Sequence, residues 1–308
     1  MTRFFQFLVD GISTGAVYAL IALGYVIIFK ATEVVTFAHG GVLSIGGYMI
    51  WYARHNWFSG KGQGNFWMAV VVGLLVAVTL SLIVERVLIR RMQSKSATII
   101  GICILTLGLD VILETYTNYG VTKSGKELLD FGNPWGLKAH GFAGLRIGEA
   151  RIAALVLCAV LIGGLFIWLK YTSWGVSMRA TATNPEAASL MGIRLGRVSM
   201  VAWAIAGALA TIAAIFLSAA PAPGFDGATG RMALKAFPAA ILGGLDSPGG
   251  ALAGGLAIGI AESMTKGYQS NLTFLGAGFY SVVPYVVMLV VLLFKPTGLF
   301  GAKAVARA

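Results

Sequence analysis

Charge is scarce in this sequence. Only 11% of its 308 residues are Asp, Glu, Lys or Arg, against roughly 25% in an ordinary soluble domain. Hydrophobic residues make up 57%, and mean hydropathy is +0.82. A soluble chain of this length needs polar groups to cover its surface, so the shortage excludes one. Acid is scarcer than base: 12 acidic against 23 basic residues leave a net charge of +11. The bases sit mostly between or beyond apolar runs, where they orient a chain in a bilayer, so nucleic-acid binding is not expected. Cys103 and Cys158 both fall inside apolar runs, which excludes a disulfide framework, and no spacing suits a metal. A complete Gly-x4-Gly-Lys-Ser/Thr loop is also missing, because Gly60-Lys61 and Gly125-Lys126 lack the rest of the phosphate cradle. No nucleophile–base motif occurs. The sequence therefore offers no catalytic, cofactor-binding or metal-binding residue, and an enzyme is not expected.

What is present is a series of long apolar runs. Residues 4–29, 34–52, 66–88, 97–119, 151–169, 197–219, 247–265 and 278–294 approach the ~20 residues that span a hydrocarbon core as helix. A shorter apolar piece lies at 232–245. Backbone groups in lipid must be satisfied within their own segment, and the strand pattern of a barrel is absent. The expected fold class is all-α: a polytopic transmembrane helical bundle of about eight to nine spans, with broken or re-entrant segments. It forms a single transmembrane domain over 1–308. The N-terminal run reaching Ile28 is too long for a signal-peptide core and is read as a retained helix.

Basic loops give the orientation. Arg86, Arg90, Arg91 and Lys95 cluster with little acid beyond Glu85, which marks a cytoplasmic loop. Lys170, Arg179, Arg194 and Arg197 mark a second, 171–196, and Lys295, Lys303 and Arg307 put the C-terminus on that side. The 120–149 segment, with Lys123, Lys126, Glu127, Asp130, Lys138 and Glu149, then lies outside. Counting back places the N-terminus outside, which Arg3 opposes. Counting forward, the C-terminus is cytoplasmic only if 232–245 crosses or the last spans are broken, so the parity stays open.

Glycine falls inside the runs as well as between them. Gly11/Gly15, Gly250/Gly254 and Gly255/Gly259 are each spaced to share one helix face, where helix backbones can approach closely. Two clusters differ from simple packing patterns: Phe37-Ala38-His39-Gly40-Gly41 with Gly46-Gly47, and Ala236-Phe237-Pro238 through Gly243-Gly244 with Gly249-Gly250. Interrupted apolar segments in both halves of a transporter point to broken helices around a pathway. Ionisable residues inside the runs are the other candidates, because charge in hydrocarbon is costly. Asp110 and Glu114 are spaced i,i+4 on one face. Glu262 lies late in a Gly-rich run, and His39 sits in a broken one. Such carboxylates serve either as an ion relay or as bridges between helices, and the sequence leaves both readings open.

The segment Trp174–Ile193 is the most informative. Asn184 before Pro185 reads as an N-cap with proline at the first helical position, and Glu186 suits the first turn. Ala187, Ala188, Leu190 and Met191 continue a short helix that Gly192 ends. A small-residue helix of this kind suits either a groove on another protein or a plain connector on the membrane surface.

Glu186-Ala187-Ala188-Ser189-Leu190-Met191-Gly192 resembles the EAA…G loop by which ABC importer permeases dock on their ATPase, though the Ile and Leu-Pro that continue that motif are missing. A wider resemblance covers nearly the whole chain. It rests on Gly15–Gly24, Phe37–Gly40, Met178-Arg179-Ala180 with Asn184 and Gly192-Ile193, Ala236-Phe237 with Leu242-Gly243-Gly244, and Lys295–Gly301. In this order the blocks resemble the high-affinity branched-chain amino-acid permease family, LivH type; Thr36 stands where members often have Asn. The resemblance implies a multi-pass protein of the bacterial inner membrane without a cofactor. It implies as partners a LivM-like second permease subunit, two cytoplasmic ATPase subunits and a periplasmic substrate-binding protein, with an amino acid as substrate and lipid around it. Arg179, Asn184, Glu186, Ala187, Ala188 and Gly192 would couple to the ATPase. Phe37, His39, Gly40, Phe237, Gly243 and Gly244 would line the pathway, and the 120–149 loop with the turn at Pro221, Pro223 and Gly224 would receive the binding protein. Urea, amide and aromatic-acid importers have related permeases. An ion-coupled secondary carrier of small polar solutes and a purely structural subunit are the readings outside this class.

Overall fold

The computed structural model describes residues 2–58, 63–95, 97–123, 128–131, 134–135, 139–142, 145–219, 224–226, 229–271, 276 and 278–301. Gly60, Lys61, Gly125, Lys126, Glu127, Lys138, Pro221, Pro223, Lys303 and Arg307 lie outside the described residues. The protein is an all-α bundle: α1 Thr2–Thr32, α2 His39–Tyr52, α3 Gln63–Ile83, α4 Arg90–Ser94, α5 Ile99–Lys123, α6 Glu149–Tyr171, α7 Ser173–Thr183, α8 Pro185–Leu190, α9 Leu195–Leu217, α10 Thr229–Gly243, α11 Pro248–Gly267 and α12 Val283–Phe294. A π-helical turn, Ala53–Trp57, extends α2, and another, Val84–Ile89, joins α3 to α4. The two strands β1 Ala139–Phe142 and β2 Leu145–Gly148 pair antiparallel, with Ala139 opposite Gly148, in the stretch read from sequence as a loop. Every apolar run read from the sequence contains a helix.

Among the described residues, five helices are long and apolar enough to cross a membrane: Arg3–Thr32, Asn65–Ser94, Ile99–Lys123, Glu149–Tyr171 and Leu195–Leu217. Their burial separates centre from edge. Most of α1 is buried, at 83% of its apolar window, whereas only 17% of the α5 window is. The outer helices expose Ile104, Leu107, Ile112, Val156 and Val160 while burying Thr106, Asp110 and Thr117. That reversal of the soluble pattern is what a lipid or protein environment demands.

Glycine lets the central pair come together. A methyl group added to Gly15 would lie 2.8 Å from the Cα of Leu256, and one on Gly255 would lie 2.5 Å from the backbone N of Ala19. Gly250 and Gly254, on another face of α11, instead meet Gly243 and Ala239 of α10.

Contacts at the helix ends define two faces. Lys30 at the end of α1 donates to the carbonyl of Asp246 at 3.1 Å, and Gln93 reaches the Thr32 carbonyl at 3.3 Å. Arg90 bonds both Glu85 at 3.0 Å and the Gly196 carbonyl at 2.8 Å. The α10–α11 turn, the α4 end, the 171–196 loop and the start of α9 therefore share one face. Leu299 and Phe300 donate to the carbonyls of Leu242 and Gly243, which places the described C-terminal residues there too. The opposite face holds the start of α1, where Arg151 pairs with Asp10 and Phe7 packs on Tyr268.

Two passes between these faces are broken. The run at 34–52 is not helical from its start: the chain is irregular until α2 begins at His39. His39 packs against Gly24, whose added methyl would lie 2.5 Å from Nε2. Gly24 is ~12 Å along α1 from Thr32 at ~1.5 Å per residue, so α2 begins well inside the bundle and runs outward to the Asp10 face. The other is α10, which begins deep in the bundle at Thr229, with Gly230 beside Gly40, and runs to the face that holds Asp246 and Gly196. With both segments completing a pass, the start of α1 and the described C-terminal residues lie on opposite faces.

Candidate functional site

The 171–196 segment is built as a rigid corner. Thr172 closes it by accepting from the Gly175 N–H at 3.2 Å and donating to the Trp168 carbonyl at 2.7 Å. Arg179 reaches the Leu169 carbonyl at 2.5 Å, and Trp168 stacks on Trp174 with centroids 4.6 Å apart. The orphan carbonyls at the end of α6 are thus satisfied by α7. The sequence reading took residues 173–183 as loop; they form a helix because this corner supplies both its cap and its packing.

Helix α8 follows as the sequence indicated. Asn184 is extended, at φ −156°, and its side chain accepts the Ala187 N–H at 3.0 Å, with Pro185 in the first turn. At the other end Gly192 has φ +86°, Gly192 donates to Ser189, and Ile193 donates to Ala188, each at 3.0 Å. These are the two bonds of a Schellman stop, which needs the left-handed residue that glycine supplies. Ala188 is buried, whereas Glu186 and Ala187 are exposed, and Leu190 and Met191 are 88% and 84% exposed. Apolar side chains standing this free at a helix end form an exposed apolar patch. Behind α8, Pro185 and Thr181 border a cavity of about 610 Å³ that Lys30, Glu33, Glu85 and Arg90 also line.

A second site lies where α2, α5 and α10 meet. Along α5, Cys103 donates to the Val35 carbonyl at 3.4 Å, Thr106 accepts the Phe37 N–H at 3.2 Å, and Asp110 accepts the Gly41 N–H at 2.5 Å. Irregular backbone at membrane depth needs such partners, and here one stripe of α5 supplies three. Asp110 also places negative charge at the N-terminus of α2, where the helix dipole favours it. Four of the six residues expected to line a pathway converge here. Phe37 and Phe237 are in ring contact at 5.2 Å, Tyr25 meets Phe237 at 5.3 Å and His39 at 4.7 Å, and a methyl on Gly40 would lie 3.0 Å from Asp110 Oδ1. Gly243 and Gly244 do not join them. Gly243 abuts Gly250, and Gly244, at φ +102°, turns the chain against Gly301.

The sequence reading missed three members of this cluster. Tyr25 looks like an ordinary residue of a long apolar run. Ser44 and Gly230 are brought together by tertiary packing: Glu114 Oε1 would lie 2.9 Å from a methyl on Gly230, and Ser44 Oγ crowds the same point. The Tyr25 hydroxyl, His39 Nε2, Ser44 Oγ and Glu114 Oε1 are buried without hydrogen-bond partners among the described residues. Glu262, by contrast, is structural: Lys235 pairs with it at 2.7 Å, and the Tyr18 hydroxyl donates to it at 2.7 Å, tying α1, α10 and α11 together.

Residues 7–292 match the family described as "Branched-chain amino acid transport system / permease component". The chain is 30% identical to the high-affinity branched-chain amino acid transport system permease protein LivH of Salmonella typhimurium, over 99% of this chain and 97% of that one. It is 28% identical to the corresponding BraD protein of Pseudomonas aeruginosa, over 99% and 98%. The probable LivH of Methanocaldococcus jannaschii is 29% identical, over 92% and 88%. No solved structure matches. Nearly full-length likeness to these permeases, on a polytopic helical bundle, shows that the chain belongs to the branched-chain amino acid transport permease family.

Proposed function

We propose that this chain is the membrane-crossing subunit of an ATP-driven importer that carries leucine, isoleucine and valine across the bacterial inner membrane. A second permease subunit, two cytoplasmic ATPases and a periplasmic binding protein complete the complex. ATP is hydrolysed on the partner subunits, and the 171–196 face is cytoplasmic. The observation that carries this reading is α8, fixed at both ends yet presenting Leu190 and Met191 to solvent.

A helix capped by Asn184 and stopped at Gly192 moves as one body. Its motion passes to α6 through the Thr172, Arg179 and Trp168–Trp174 corner, and to α9 through the Schellman turn. ATPase closure would thus tilt both spans and switch access to the pathway at Phe37, His39, Gly40 and Phe237. Gly243 and Gly244 act at its cytoplasmic end as the turn that seats α10. The outer segment 120–149, with its hairpin, receives the binding protein.

Gly192→Val forces a β-branched residue into a left-handed conformation, and Glu186→Ala removes an exposed carboxylate of the docking face. Both variants are expected to reach the membrane at wild-type levels and to lose ATP-driven leucine uptake. Normal uptake by both would end the coupling assignment.

A further inference from the structure

Glu114 forms no ion pair among the described residues. Among the described residues the ion pairs join Arg90 to Glu85, Arg151 to Asp10 and Lys235 to Glu262. Arg231 acts on Glu114 electrostatically but forms no ion pair with it. One turn away, Asp110 adds a second carboxylate, and its one hydrogen bond comes from Gly41. Two carboxylates on one face of a membrane helix, neither ion-paired, are expensive. An acidic pair alone could cap the two broken helices. The polar atoms around it need more than that explanation.

The Ser44 hydroxyl is 1% exposed and unpartnered, and it crowds the point at Gly230 that Glu114 Oε1 also approaches. Gly40 and Gly230 bring backbone carbonyls to the same place: a methyl on either glycine would lie 3.2 Å from the carbonyl oxygen of the other. The surroundings are therefore rich in acceptors: two carboxylates, a hydroxyl and two carbonyls, with Arg231 acting on Glu114 electrostatically but not ion-paired to it. Beside them stands an apolar wall of Phe37, Phe237 and Tyr25. A group with several N–H donors and a positive charge, attached to an apolar side chain, complements both halves.

We infer that Glu114, Ser44 and Asp110 receive the α-ammonium group of the amino acid in transit, while the aromatic wall takes its aliphatic side chain. This rests on the proposed substrate class. The two residues with vacant oxygens, Glu114 and Ser44, hold the ammonium. Asp110, committed to Gly41, contributes its charge. The site sits where the half-length helices α2 and α10 begin, about 16 Å along α5 at ~1.5 Å per residue. Near-midplane sites between broken helices suit a carrier that opens alternately to either side.

Glu114→Gln and Ser44→Ala separate this role from a structural one, because the two predict opposite signs. Removing an unpaired buried charge or an unsatisfied hydroxyl leaves a fold unharmed or firmer. Thermal unfolding of both variants in detergent is therefore expected at or above the wild-type midpoint. Uptake of radiolabelled leucine by proteoliposomes carrying the full complex is expected to fall ~10-fold or more in Glu114→Gln and ~3-fold in Ser44→Ala. Wild-type uptake rates in both variants would overturn the inference. So would a Glu114→Gln loss that tracks a lowered unfolding midpoint, or wild-type uptake that a protonophore or removal of sodium abolishes, since Glu114 would then be an ion relay. If the wild-type complex moves no amino acid at all, the proposed function fails first. If it moves leucine and the variants match it, the ammonium assignment alone fails.

Discussion

Single glycines set how closely the central helices approach. Gly255 admits the backbone of α1 at Ala19, and no flexible side chain of α1 can retreat to make room, because the contact is with main-chain atoms. Gly255→Val is therefore expected to cost ~1–3 kcal/mol through overpacking. Gly163 on α6 has nothing within 4 Å of an added methyl, so Gly163→Ala should leave stability unchanged or slightly raised by helix propensity. Unfolding midpoints of both variants in one detergent check the contrast. These glycine faces were legible in the sequence, because four-residue spacing alone puts two residues on one side of a helix. Their partners were not: Gly11 and Gly15 meet α11, and Gly250 meets Gly243 rather than α1, which depends on how α10 is seated.

Among elements, the lesson concerns where a helix begins. The Asn184–Gly192 helix could be read from sequence because its caps are local: the side chain at Asn184 and the left-handed Gly192 belong to the helix they close. The start of α2 could not. Ala38 precedes it without a side-chain cap, and the acceptor for the first turn comes from Asp110 on another helix. Asp110→Ala leaves the Gly41 N–H unpaired at membrane depth and is expected to cost ~1–3 kcal/mol. Asp110→Asn keeps an oxygen in place and should retain most of the stability. Hydrogen exchange of the first turn of α2, compared between the two variants, distinguishes them; equal protection in Asp110→Ala and wild type would contradict the capping role. Helix α7 was missed for a related reason, since its cap at Thr172 and its anchor at Leu169 depend on the end of α6.

For the whole molecule, two broken passes leave the chain with its 171–196 segment and described C-terminal residues on one face and the start of α1 on the other. The sequence carries no Gly-x4-Gly-Lys-Ser/Thr loop, and Leu190 and Met191 stand exposed at the end of α8, the surface proposed to meet the ATPase. In the proposed complex, energy enters from outside, through α8. Leucine uptake by proteoliposomes reconstituted with this chain, its permease partner, the two ATPases and the binding protein tests it most directly. The account predicts uptake that needs ATP and every ATPase subunit and is indifferent to proton and sodium gradients. Uptake by this chain without the ATPases, driven by an ion gradient, would contradict it.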